Sequence, residues 1–234
     1  MSPATPVARR ALRAATSALL ELVFPTRCVG CGTAGTIWCA ACRSRLVPAP
    51  ARVCLSCRTL LDLSRRHACP AHAPWAVAFA VYRFPLDRAL THLKYRPDAR
   101  LARILGDGLL AALRRHPVEA THVVPVPLGA RRLRQRGYNQ AELLGRALAE
   151  SLALPLIPLA VARIRETESQ VGLDPAARWA NVAGAFRADS AFVGGRSILL
   201  VDDVHTTGAT LAACAEAMLA AGAERVVGLT VGRA

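Results

Sequence analysis

Residues 197–218 constrain the fold more than any other part of the chain, and their sequence is SILLVDDVHTTGATLAACAEAM. The aliphatic run at 198–201 is too short and too β-branched for a helix and is typical of a strand buried on both faces. After a polar turn, apolar residues recur at helical spacing between Leu211 and Leu219. Gly222 stands where that helix is expected to end. The pattern predicts a strand, a tight turn and a helix, which is the repeating unit of an α/β sheet.

The polar residues between this strand and helix have the chemistry of a phosphate-binding turn. The turn consists of Thr206, Thr207, Gly208, Ala209 and Thr210. At the start of a helix, backbone N–H groups and the positive end of the helix dipole, roughly half an elementary charge, favour an anion. Asp202 and Asp203 end the strand, where their carboxylates can bind sugar hydroxyls or Mg²⁺. The combination predicts a sugar-phosphate pocket, and the alternative is a structural turn with a threonine N-cap.

Seven of the eight cysteines lie between positions 28 and 69, in an arrangement typical of metal ligands. The two sets of ligands are Cys28, Cys31, Cys39 and Cys42, and then Cys54, Cys57, Cys69 and His72. Each C-x-x-C turn directs two thiolates at one ion, and two such turns complete the tetrahedron that zinc prefers. The spacing leaves open whether the pairs combine in order or interleave. It also leaves His67 as an alternative to His72.

The segment at 28–72 also needs metal in order to fold. Its few apolar residues are scattered among Gly, Arg and Pro, and a ribbon of this size cannot build a sufficient core. Structural zinc supplies about 10–16 kcal/mol in such domains. Disulfides are the alternative, but they belong to oxidising compartments. We therefore expect one or two structural zinc ions.

The N-terminal residues help to predict where in the cell the protein is located. Arg9, Arg10 and Arg13 precede an apolar patch, as in a signal peptide, but Glu21 interrupts the patch and no cleavage site follows. The spacing at 7–24 favours an amphipathic helix docked on a domain. No stretch approaches the roughly 20 apolar residues that span a bilayer. These features predict a cytoplasmic protein without a transmembrane segment.

The net charge of +14 is concentrated in the first two thirds of the chain. Residues 1–72 carry ten arginines and two acids, residues 73–150 carry thirteen basic groups and six acids, and residues 151–234 carry seven arginines and eight acids. This distribution suits a polyanionic partner or a phosphorylated substrate. Since 29 of the 30 basic residues are arginine, a solvated surface in an arginine-rich proteome explains it equally well.

Three basic residues are candidates for binding phosphate. Lys94 is the only lysine, and it can act either as a compact charge near phosphate or as an exposed cation at a helix end. Arg134 and Arg136 belong to a group of four arginines at 131–136. Those side chains could bind pyrophosphate through bidentate hydrogen bonds or could contact a nucleic-acid backbone.

The rest of the chain alternates strands and helices. Strands are expected at 75–84, 122–127 and 225–231, and helices at 86–95 and 98–115. Residues 167–170 have no periodicity and predict a loop, and Asp174 with Pro175 predicts a helix start. We expect a parallel α/β sheet with its pocket at the carboxyl ends of the strands.

The ordered set of motifs resembles the ComF family, also called the competence-protein-F or GntX-like family. The matching motifs are the cysteine pairs, L-K-Y at 93–95, V-P-V-P at 124–127, R-x-R-G-Y-N-Q at 134–140, T-x-x-Q-x-x-L at 167–173, R-x-x-N at 178–181 and V-D-D-V-x-T-T-G-x-T at 201–210. One departure is His72, where the family often has cysteine. The resemblance implies an α/β, parallel-sheet type I phosphoribosyltransferase fold with a small N-terminal zinc-ribbon domain. The implied domains are an N-terminal helix at 1–27, a double zinc ribbon at 28–72 and a phosphoribosyltransferase-like domain at 73–234.

The resemblance also implies a ligand, which is phosphoribosyl pyrophosphate (PRPP) or a related ribose phosphate, bound with Mg²⁺. Asp202 and Asp203 would be the catalytic residues that hold the ribose, and residues 206–210 would bind the 5′-phosphate. Lys94, Arg134 and Arg136 would lie on the pyrophosphate side. In a transferase of this type, a nucleophile displaces pyrophosphate from the anomeric carbon of the ribose. The sequence does not identify the acceptor.

Three functional hypotheses therefore stay open. The first is a phosphoribosyltransferase linked to DNA uptake. The second is a competence factor that binds single-stranded DNA and works with the DNA-uptake machinery. Aromatic residues make up only 5% of the chain and offer few stacking platforms for bases, so such binding would rely on backbone charge. The third is a PRPP sensor without catalytic turnover.

Overall fold

The computed structural model describes residues 25–49, 51–61, 69–70, 73–166 and 174–234. Three sequence predictions lie outside these ranges. They are the helix at 7–24, the loop at 167–170 and the histidine ligand at position 67 or 72.

Eight strands and eight helices form the described part of the chain. The strands are β1 (Arg52–Cys54), β2 (Leu60–Leu61), β3 (Trp75–Val81), β4 (His122–Pro125), β5 (Val161–Arg163), β6 (Phe186–Ala188), β7 (Ser197–His205) and β8 (Arg225–Arg233). The helices are α1 (Ala40–Ser44), α2 (Leu86–Tyr95), α3 (Ala99–Arg115), α4 (Ala130–Arg136), α5 (Gln140–Leu152), α6 (Pro175–Val182), α7 (Ser190–Val193) and α8 (Ala209–Ala220).

A six-stranded sheet, in the order β2-β1-β3-β8-β7-β4, organises the fold. Strands β3, β8, β7 and β4 pair in parallel, whereas β1 is antiparallel to both β2 and β3. Strands β5 and β6 form a separate antiparallel pair. The expected α/β architecture with a largely parallel sheet is confirmed.

Strand β7 lies in the middle of the parallel part and is buried on both faces, as its aliphatic run predicts. Leu199 and Val201 belong to the hydrophobic cluster that contains residues of α2, α3 and α5. Ile198 and Leu200 belong to the cluster that contains residues of α8. Because successive side chains of a strand point to opposite faces, this alternation places helices on both sides of the sheet.

The strand register determines where the polar residues lie. Strand β4 ends at Pro125, which is opposite Val201. On the other side, β8 continues to pair with β7, from Asp202 opposite Thr230 to His205 opposite Arg233. The strand therefore runs four residues beyond the aliphatic run, and both aspartates lie within it. This edge of the sheet, at the carboxyl ends of the parallel strands, is where α/β proteins bind ligands.

Most helix predictions agree with the structure. The expected helices at 86–95 and 98–115 correspond to α2 and α3, and Asp174 is the N-cap of α6, accepting a hydrogen bond from the backbone N–H of Ala177 at 2.8 Å. The arginine-rich segment at 131–136, for which the sequence offered no regular element, forms α4. No helix in the described ranges is long and apolar enough to cross a membrane.

The ribbon and the α/β part share the sheet. Val53 and Cys54 of β1 pair with Ala76 and Trp75 of β3. The boundary proposed between residues 72 and 73 therefore falls between two strands of one sheet, which fixes the second half of the ribbon against the α/β core.

Candidate functional site

The carboxylate pair on β7 lies against the only lysine of the chain. Asp203 is buried and Asp202 is half-buried. The Nζ atom of Lys94, in the last turn of α2, lies 3.0 Å from Oδ2 of Asp203. Burial by itself would lower the pKa of Lys94, but the Asp203 carboxylate outweighs it and the pKa is raised. Lys94 is therefore a charged partner of the carboxylate pair rather than a solvated cation at a helix end.

The second carboxylate has a different environment. Burial, and then the negative charge of Asp203, raise the pKa of Asp202 well above its ordinary value. One lysine cannot neutralise two carboxylates, so the pair favours a further cation or a proton. Mg²⁺ and sugar hydroxyls are both partners that such a pair can accept.

The turn after β7 has the predicted form. Gly208 is the N-cap of α8, with a positive φ of 78°, and it supplies no side chain that would cover the helix end. The hydroxyl of Thr207 accepts a hydrogen bond from the backbone N–H of Ala209 at 3.4 Å. Beside Asp202 and His205, the turn encloses a cavity of about 30 Å³, the volume of one water molecule. A sugar phosphate would therefore have to bind over the turn rather than inside it.

Arg178 is a site residue to which the sequence assigned no role. Its Nη1 atom donates a hydrogen bond to Oγ1 of Thr206 at 3.0 Å, which joins α6 to the turn. The signal was present in the R-x-x-N motif at 178–181, but the sequence alone does not bring α6 to residue 206. The contact adds a guanidinium to the threonine turn.

His205 is buried and neutral. The Thr230 hydroxyl donates to the carbonyl of Gly232 at 3.1 Å, so it accepts from Nδ1 of His205, 2.7 Å away. Burial, and then the cation of Arg233, lower the pKa of His205 to about 4. The histidine therefore anchors the end of β7 to β8 and carries no charge at neutral pH.

The arginines predicted on the pyrophosphate side lie on α4. Arg134 is exposed, and Arg136 is half-buried and donates a hydrogen bond to Gln140. Among the described residues, neither arginine forms an ion pair with Asp202 or Asp203.

The motif that follows α4 fixes this helix in place. The Tyr138 hydroxyl donates to the carbonyl of Leu93 at 2.8 Å, and the Asn139 amide donates to the carbonyl of Val126 at 2.9 Å. Leu93 directly precedes Lys94, and Val126 follows the last residue of β4. The motif therefore attaches α4 to two elements that border the carboxylate pair.

The first cysteine set has the geometry of a zinc site. The four sulfur atoms of Cys28, Cys31, Cys39 and Cys42 lie within 4.8 Å of one another. Two of the pairs are 3.7 Å apart, whereas a disulfide requires about 2.05 Å. A zinc ion with four bonds of about 2.3 Å to sulfur separates the sulfurs by about 3.8 Å. The donor set and its spacing fit zinc, and they exclude disulfides in this structure.

The second set follows the same order along the chain. The sulfur atoms of Cys54, Cys57 and Cys69 also lie within 4.8 Å of one another. The ligands thus combine in sequence rather than interleaving. The fourth ligand of this set, His72 in our prediction, lies outside the described residues.

The fold and these sites define a class of protein. In it, a cysteine ribbon shares a sheet with an α/β domain, and that domain carries a carboxylate pair and a threonine turn at the start of a helix. A family model described as the double zinc ribbon domain matches residues 19–73. Competence protein F of Haemophilus influenzae is 31% identical over 220 residues, which cover 87% of this chain and 95% of that protein. The chain belongs to the competence protein F (ComF) family.

Two further similar proteins match a smaller part of this chain. The DNA utilization protein YhgH of Salmonella typhimurium is 36% identical over 160 residues, covering 65% of this chain and 70% of that protein. Among solved structures, the glutamine PRPP amidotransferase of B. subtilis is 24% identical, with a TM-score of 0.38, over 55% of this chain and 25% of that one.

Proposed function

We propose that the chain binds PRPP with Mg²⁺ at residues 202–210 and acts as a phosphoribosyltransferase in the handling of incoming DNA. The observation that carries the proposal is the junction of β7 and α8. A carboxylate pair with a lysine partner is followed within a few residues by a threonine turn on a glycine-capped helix. Each half fits a different part of one ligand: the carboxylates fit the ribose hydroxyls with Mg²⁺, and the turn fits the 5′-phosphate.

Each part of the ligand has its own partners. Asp202 and Asp203 hold the ribose hydroxyls and the Mg²⁺ that accompanies them. Residues 206–210 bind the 5′-phosphate through backbone N–H groups and hydroxyls, with Arg178 beside them. Lys94, Arg134 and Arg136 face the pyrophosphate. The neutral His205 is tied to Thr230 and is not assigned as a general base.

Calorimetric titration tests this proposal directly. We expect PRPP to bind wild-type protein in the presence of Mg²⁺ and to bind more weakly when Mg²⁺ is omitted from the buffer, with no chelator added, so that the ribbon keeps its zinc. Ribose 5-phosphate should bind at the same site with lower affinity, because it lacks the pyrophosphate. If neither compound gives a heat of binding, the proposal that the chain binds a ribose phosphate is wrong. Release of pyrophosphate with candidate acceptors then separates a transferase from a PRPP sensor.

Binding of single-stranded DNA is the second candidate function, and an arginine-lined cavity beside the ribbon favours it. This cavity of about 800 Å³ lies between the first half of the ribbon and the start of α3, and Arg27, Arg96 and Arg100 line it. The names of the relatives, competence protein F and DNA utilization protein, point to the same partner. A cytoplasmic location, where the cysteines stay reduced, and contact with the DNA-uptake machinery form part of this proposal.

The affinity for single-stranded DNA is expected to fall steeply with salt. Log affinity should decrease against log salt by roughly 0.7 for each phosphate that is contacted. Exchanging Arg27 or Arg100 in this cavity, or Arg134 or Arg136 on α4, for alanine should weaken binding to all sequences alike and reduce the slope. Arg225→Ala is the control, since Arg225 is exposed at the start of β8, at the opposite edge of the sheet. Fluorescence anisotropy at several salt concentrations measures the slope, and salt-independent binding would contradict a role for phosphate contacts.

A further inference from the structure

The two cysteine knuckles of the ribbon share the same backbone hydrogen bonds, but the residue after the second cysteine is glycine in the first knuckle and arginine in the second. In the first, the N–H of Cys28 donates to the carbonyl of Thr33 at 2.8 Å, and the N–H of Gly32 donates to that of Cys28 at 2.8 Å. In the second, the N–H of Cys54 donates to Thr59 and the N–H of Arg58 donates to Cys54, both at 2.9 Å. Arg58 therefore occupies the position that Gly32 occupies in the first knuckle.

That position requires a left-handed backbone. The φ angle is 79° at Gly32 and 66° at Arg58. Glycine adopts this conformation freely, whereas a residue with a Cβ atom is strained there. A strained arginine in a place that glycine fills without cost indicates that its side chain has a role.

The side chain of Arg58 extends to the α/β domain. Its guanidinium carbon lies 4.0 Å from the centre of the Trp179 ring on α6, which is the geometry of a cation–π contact. The residue before Trp179 is Arg178, whose guanidinium donates to Thr206. Helix α6 therefore connects the second knuckle to the turn at 206–210.

A second residue of the same knuckle contacts the turn directly. Leu55 is buried, with 1% of its surface exposed, and it packs in one hydrophobic cluster with Ala209 and Leu211. A Cβ atom placed on Gly208 would lie 3.0 Å from Cδ2 of Leu55. The knuckle therefore packs against the glycine on which the turn is built.

We propose that the second knuckle, residues 54–59, positions the phosphate-binding site, with Arg58 and Leu55 as positioning residues that hold α6 and the turn at 206–210. This inference rests on the proposed function. It gives the ribbon a role beyond its own stability, because a change in the second cysteine cluster would reach the ligand site through two contacts. The sulfur atoms of Cys54, Cys57 and Cys69 lie within 4.8 Å of one another, which suits a shared zinc ion, and zinc would hold the knuckle in the form that makes these contacts.

The test compares Arg58→Gly with Arg58→Lys. The glycine variant relieves the backbone strain and keeps the knuckle, so its zinc content should equal that of wild type, while its affinity for PRPP with Mg²⁺ should fall by roughly threefold to thirtyfold. The lysine variant keeps a cation for Trp179 and should recover part of the loss. Arg45→Gly is the matched control, because Arg45 is exposed in the first half of the ribbon; its affinity should be that of wild type.

Hydrogen exchange supplies a readout that needs no ligand. In Arg58→Gly, backbone amides at 175–182 and 206–210 should exchange faster than in wild type, and Arg58→Lys should exchange more slowly than the glycine variant. Unchanged exchange together with unchanged affinity would overturn the positioning role and leave the proposed function standing. If wild type binds no PRPP but Arg58→Gly still loosens 206–210, the proposed function fails and the positioning contact stands.

Discussion

Purified protein is expected to contain one or two zinc ions per chain, and removal of that zinc is expected to unfold the ribbon. One ion corresponds to the first site alone, and two correspond to both sites filled. Structural zinc contributes about 10–16 kcal/mol to a small domain, which is comparable to the whole stability of an ordinary protein, about 5–15 kcal/mol. Elemental analysis gives the metal content. Chelator titration followed by tryptophan fluorescence reports the unfolding, because Trp38 is buried beside Cys28 and Cys42.

Two cysteine variants provide the comparison for this prediction. Cys42→Ser removes a ligand of the first site and should lower the zinc content, with loss of the Trp38 signal. Cys214→Ser changes a cysteine that is buried on α8, outside both clusters, and should leave the zinc content unchanged. A ribbon that keeps its fluorescence and melting temperature after complete loss of metal would show that zinc is not structural. Disulfides in the native protein would contradict the prediction as well.

The sequence predicts local elements of this fold well, because their signals are local. The aliphatic run of β7, the glycine-capped turn before α8 and the Asp174 N-cap are each determined by neighbouring residues. The cysteine clusters were also predictable, since C-x-x-C turns have their own geometry. Their combination in sequence was not, because it depends on how the two halves of the ribbon fold.

Contacts between residues that are far apart along the chain could not be predicted from the sequence. Lys94 and Asp203 meet because α2 ends beside the carboxyl end of β7, and a lone lysine gives no sign of that neighbour. Arg178 reaches Thr206 for the same reason. The role of Arg58 depends on a left-handed φ angle. The sequence predicts such an angle at a glycine but not at an arginine.

Asp203→Asn is expected to weaken the Mg²⁺-dependent binding of PRPP by roughly tenfold to a hundredfold. The variant keeps the shape of the side chain but removes the charge that would bind Mg²⁺ and the ribose in the proposed site. A hydrogen bond to a charged group is worth about 1.5–3 kcal/mol, and each 1.4 kcal/mol corresponds to about tenfold in affinity. Calorimetric titration of PRPP measures the change. Asp107→Asn, an exposed position on α3, is the control and should bind like wild type.

The same variant should also reduce stability, because it leaves Lys94 without its anionic partner. The lysine side chain keeps 31% of its surface exposed, so water can replace part of the lost interaction, and we expect a cost of about 1–2 kcal/mol. That cost corresponds to a fall in melting temperature of about 2–8 °C for a chain of this size. Lys94→Met combined with Asp203→Asn should recover part of this stability and none of the affinity, because the unpaired cation is gone while the ligand carboxylate is still missing. Equal PRPP affinity in wild type, Asp203→Asn and the double variant would mean that the carboxylate pair serves only to hold α2 against β7.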